Sequence, residues 1–114
     1  MVEVDPERFE ALVEAALDEI PAELGRHMNN VVVQVRDQAR DPHLLGLYTG
    51  IPLTERATYG GLAMPDRITI YRLPICRSCD DEREVVDQVR ITVVHEVAHH
   101  FGIDDDRLDE LGWA

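Results

Sequence analysis

The sequence predicts an α+β fold in a single domain, residues 1–114. Two segments, one toward each end, carry apolar residues at three- and four-residue spacing, as helices that lay one face on a core require. Between them lie three short runs that are apolar and β-branched or alternate with a period of two. At 114 residues the chain can bury one core and is too short for two, and it shows no internal repeat, low-complexity segment or domain boundary.

The first helix opens at Asp5, a capping residue type. Pro6 suits the first helical position, where its missing N–H is not needed. Phe9, Leu12, Val13, Ala16, Leu17 and Ile20 make its apolar face. Pro21 ends the helix or restarts a short turn through Leu24. Val31 to Val35 reads as a strand, residues 36–43 as a polar loop, and Leu44 to Tyr48 as a second strand interrupted by Gly46. From Thr49 to Pro65, Gly50, Pro52, Gly60 and Gly61 break regular structure, and the length of the segment suggests a functional loop. Asp66 to Arg72 alternates, as a half-exposed strand should. The second long helix starts at Asp81, with Glu84 completing a capping box. Its packing stripe is Val86, Val89, Val93 and Val97, widened by Val94, Ala98 and Phe101. His95 and His99 continue a separate line through Val85, Gln88 and Thr92. Gly102 ends this helix, and Asp104 caps a short final one over residues 105–111.

Composition narrows the function classes. Hydrophobic content of 45% suits a folded globule. No apolar run approaches the roughly eighteen residues that cross a bilayer. The acidic N-terminus passes straight into a helical pattern, unlike a signal peptide, so a cytoplasmic location is expected. A formal net charge of -12 repels the phosphate backbone of nucleic acid and an anionic membrane surface alike. A solvated acidic surface that suits solubility is the first reading, ahead of attraction of a basic substrate segment. All 11 basic residues are arginine, which reads as a coding bias.

The two cysteines form one pair, Cys76 and Cys79 in a CxxC, too few for a four-coordinate structural zinc site. Reduced structural thiols are the first reading, ahead of a local disulfide or shared metal or redox chemistry. The redox reading rests on a helix N-terminus just beyond, which would lower a thiol pKa.

The stretch from His95 to Asp105 reads HExxHxxGxxD. Histidines four apart on a helix point the same way, so both imidazoles can reach one ion. Glu96 then stands beside that ion, placed to take a proton from an activated water. Gly102 can reverse the chain in a left-handed turn and present Asp105 as a third ligand. Asp104 and Asp106 are expected to point elsewhere, and Glu110 is a weaker fourth candidate. Three N and O ligands with one position left for water make Zn2+ the natural occupant. By composition a bare HExxH arises in roughly two chains per hundred, and the added glycine and acid cut that about a hundredfold. His100 lies about 100° around the helix from His99, so it is expected to pack or support rather than ligate. His27 and His43 have no partner at ligand spacing and are expected at the surface.

With those residues in view, the chain resembles the small bacterial zincin-like metallopeptidases, the minimal zincins or minizincins, over nearly its whole length. The resemblance rests on HEVAHHFGIDDDRL (95–108), GLYTGIPLTER (46–56) and PDRITIYRLPI (65–75). It implies a zincin-like fold: a small twisted sheet of three to four strands packed on two main helices, with the active-site helix near the C-terminus and behind an edge strand. It implies metal roles for His95, His99 and Asp105 and the base role for Glu96. Only nine residues follow Asp105, and no methionine follows the motif, so a metzincin methionine turn is not expected.

The function expected is zinc-dependent hydrolysis of peptide bonds in a peptide or protein substrate. The alternative is a zinc-binding interaction module with zincin geometry and little turnover. Residues 67–71 are the candidate edge strand for aligning a peptide, and Tyr48 or Tyr71 for assisting the oxyanion.

Overall fold

Asp5 fixes the first helix as the sequence predicts: its carboxylate accepts the Arg8 N–H at 2.8 Å, and α1 (Pro6–Asp18) runs on from there. The structure is a computed structural model that describes residues 1–25, 28, 30–50, 65–104, 106, 107 and 110. Phe9, Leu12, Val13 and Ala16 are buried on α1, and Leu17 and Ile20 pack partly against the same core. Past Pro21, the short helix α2 (Ala22–Gly25) follows as expected.

Three strands form the sheet among the described residues: β1 (Val31–Arg36), β2 (Gly46–Thr49) and β3 (Asp66–Tyr71). Their order is β1-β3-β2. β1 runs parallel to β3, with Val31 opposite Asp66 and Arg36 opposite Tyr71. β2 runs antiparallel to β3, with Gly46 opposite Ile70 and Thr49 opposite Arg67. The expectation that residues 67–71 form an edge strand is therefore overturned: among the described residues β3 is the central strand, and β1 and β2 are the edges. Alternation along residues 66–72 suggested one wet face. A central strand is covered on both, and Arg67 alone of β3 is exposed while Thr69 and Tyr71 are buried.

The chain then enters α3 (Arg72–Arg77), a helix the sequence analysis does not anticipate. Pro74 stands at the third helical position, where its missing N–H falls among the four that have no intrahelical partner. Pro74, Ile75 and Cys76 are buried here. Arg72 turns back to hold the chain start, its guanidinium donating to the Val4 carbonyl at 3.0 Å and to Asp37 at 2.9 Å.

α4 (Glu82–His100) is the long helix of the motif. Asp81 accepts the Glu84 N–H at 2.8 Å, and Glu84 answers by accepting the Asp80 N–H at 3.2 Å, one residue before the cap. The packing stripe lies slightly around the helix from the expected one. Val85 is fully buried with Val89 and Val93, while Val86 is only partly so. Nor is the histidine line separate from packing, since Thr92 and Glu96 are buried too. The reason is that α4 meets α1, α3, β2 and β3, and so is covered on more than one face. Gly102 ends it with φ 81°; the Gly102 N–H donates to His99 and the Ile103 N–H to Ala98, each at 2.9 Å, a complete Schellman turn. Among the described residues, no helix is long and apolar enough to cross a membrane.

Candidate metal centre

Helical spacing brings His95 and His99 onto successive turns of α4, with ring centroids 4.7 Å apart and planes at 72°. Glu96 adds its carboxylate from the same face, and its Oε1 lies 3.3 Å from His99 Nδ1. One ligand atom from each of these three residues falls within 4.8 Å of the others, so together they could hold a metal ion. The imidazoles are half-buried, whereas Glu96 is only 6% exposed.

β2 forms the other wall. Gly46 faces Thr92 and Glu96 so closely that a β-carbon there would stand 2.8 Å from Thr92 Cγ2 and 3.2 Å from Glu96 Oε2. Only glycine lets the edge strand approach the carboxylate to this distance. The sequence did carry a signal: a glycine inside a strand pattern marks close backbone approach.

Behind the motif lies a buried polar group that the sequence analysis missed. Asp66, at the start of β3, is 2% exposed and shares the core-facing side of the strand with Ile68 and Ile70. Its Oδ2 accepts the Tyr48 hydroxyl at 2.7 Å and lies 2.6 Å from His100 Nδ1. His100 is fully buried, in edge contact with the rings of Tyr48 and Phe101, as a packing or supporting role requires. The missed signal was an acid on the apolar parity of a strand. Of the two tyrosines considered for an oxyanion, Tyr48 thus donates to Asp66, and Tyr71 is buried.

Asp105, the expected third ligand, lies outside the described residues, as do His27 and the segment 51–64 of the expected functional loop. Asp104 and Asp106 are exposed, and Asp104 accepts the Arg107 N–H at 2.9 Å, the capping role expected of it. Glu110 pairs with Arg107 at 2.7 Å, and His43 is exposed.

The cysteines are free thiols, both buried. Burial, the largest influence, pushes the Cys76 thiol above its ordinary pKa, against the lowering expected from a nearby helix N-terminus. With the folded value raised, the linked stability is present below the ordinary thiol pKa and is lost as pH climbs through the folded one. A thiol held in this way suits packing rather than redox chemistry.

The family model described as zincin-like metallopeptidase matches residues 20–113. Among solved structures, the fold is similar to that of a conserved hypothetical protein from Thermus thermophilus. The TM-score is 0.58 with 24% identity, covering 95% of this chain and 97% of that one. At that identity the likeness bears on fold alone. No curated protein matches the chain.

Proposed function

The chain belongs to the zincin-like metallopeptidase family, and from that premise we propose that it is a zinc-dependent peptidase. In this reading His95, His99 and Asp105 are the ligands and Glu96 is the general base. The observation that carries the proposal is the convergence of His95, Glu96 and His99, with donor atoms within 4.8 Å of one another. Two imidazoles are donors of the kind zinc takes, and Glu96 stands within reach of an ion that they would hold.

When bound, zinc supplies Lewis acidity, which lowers the pKa of water and polarises the scissile carbonyl. Glu96 accepts the proton of the attacking water and passes it to the leaving amine. Its confinement against Gly46 and Thr92 keeps the carboxylate oriented and limits its contact with bulk water. β2, an edge strand among the described residues, flanks Glu96, so it takes over the peptide-aligning role expected of residues 67–71. An extended peptide adding to β2 runs beside the base, and the net charge of -12 favours a basic segment.

Zinc content and hydrolysis of a mixed peptide library test the reading together. Wild type is expected to carry close to one zinc per chain. His99→Ala is expected to lose most of it, and Glu96→Gln to keep zinc and lose turnover. Asp105→Ala is expected to weaken zinc binding at least about tenfold, with much smaller effects at Asp104 and Asp106. Equal zinc in wild type and His99→Ala would rule out this site. Stoichiometric zinc without turnover in wild type would identify an interaction module instead.

A further inference from the structure

Apart from Glu96, Asp66 is the one buried carboxylate among the described residues, and the proposed chemistry does not use it. A single oxygen, Oδ2, meets two partners from two other elements: Tyr48 of β2 at 2.7 Å and His100 of α4 at 2.6 Å. A β-carbon on Gly50 would collide with the same carboxylate, so the chain leaving β2 lies against it with no side chain between. Asp66 therefore joins the edge strand, the central strand and the last turn of the motif helix at one point.

His100 directly follows His99 and is the last residue of α4. Its ring is 0% exposed, and among the described residues its Nε2 has no hydrogen-bond partner. An apolar side chain would fill that place without stranding a polar atom. What the imidazole gains over an apolar group is direction: the short bond to Asp66 fixes the rotation of the turn that also carries His99. Tyr48 applies the same anchor to β2, two residues from Gly46, which faces Glu96.

We infer that Asp66 is a positioning residue, which through His100 and Tyr48 sets the bearing of the metal-site turn of α4 against the edge strand β2. The inference rests on reading the His95–Glu96–His99 cluster as a metal centre.

Cobalt(II) titrated into the full chain tests it, because the visible bands of the bound ion report its ligand geometry as well as its affinity. Asp66→Ala is expected to weaken cobalt binding by about 10- to 100-fold and to shift the bands. Asp66→Asn, which keeps an acceptor oxygen, is expected to recover most of the affinity. Tyr48→Phe, which keeps the ring and removes one bond, is expected to weaken binding by about threefold and to shift the same bands slightly. Val13→Ala, a core change on α1, serves as the control: it lowers the melting temperature but leaves affinity and spectrum as in wild type. Wild-type affinity and bands in Asp66→Ala overturn the inference. If that variant does not fold, the same result in Tyr48→Phe overturns it. Cobalt bound equally by wild type and His99→Ala overturns the metal-centre reading itself, and the inference falls with it.

Discussion

Gly46 shows how much one missing side chain can decide. The crowding there is steric and not a matter of backbone conformation, for its φ is not among the positive ones. Gly46→Ala must push β2 away from α4 or turn the Thr92 methyl and the Glu96 carboxylate aside. A cost of roughly 1–3 kcal/mol is expected, as for other overpacked interiors. On the proposed function peptide turnover should fall further than zinc affinity, because the strain falls on Thr92 and Glu96 and not on the imidazoles. Thermal melts, zinc titration and hydrolysis on the same variant separate the effects; full turnover at a lowered melting temperature would mean that Glu96 adapts to the methyl group.

At the scale of elements, termini and interiors behave differently. The ends of α1 and α4 were legible in the sequence because caps are local: Asp5, Asp81 and Gly102 act within a turn of themselves. The pairing order was not legible, because alternation in residues 66–72 records which side chains share a face and not how many neighbours the strand has. The histidines and Glu96 were found for the same reason as the caps, since their spacing is helical. Asp66 was missed because its partners, Tyr48 and His100, come from elsewhere in the chain. α3 is not legible because six residues are too few to show a helical period. A prediction follows for the end of α4. Gly102 holds φ at 81°, so Gly102→Ala should cost about 1–2 kcal/mol, and Gly102→Asn less, since asparagine visits this region more readily. Chemical denaturation of the three proteins checks the order, and an alanine variant as stable as wild type would show that the turn had changed form.

For the molecule as a whole, charge and topology set the terms. Arg8 pairs with Glu82 at 2.7 Å and Arg90 with Glu19 at 2.8 Å, bracketing the contact between α1 and α4. Both pairs are about half exposed, so each contributes at most about 1 kcal/mol. Against them stands a net charge of -12, whose self-repulsion opposes compactness. Screening should therefore help more than it harms, and the melting temperature is expected to rise between low salt and 0.5 M NaCl, on the order of a few degrees. A fall would show that the surface pairs outweigh the repulsion. The parallel register of β1 on β3, Val31 opposite Asp66, also bears on the order of events during folding. His95 and His99 meet as soon as α4 winds, a local and fast event. Gly46 closes over Glu96 when β2 arrives, and β2 pairs with β3 and bonds Asp66, contacts that must wait for long stretches of chain to close. A newly made chain thus brings its two imidazoles together before its carboxylate is enclosed, and on the proposed function a chain assembled in that order stays harmless to its own half-folded neighbours until it is nearly finished.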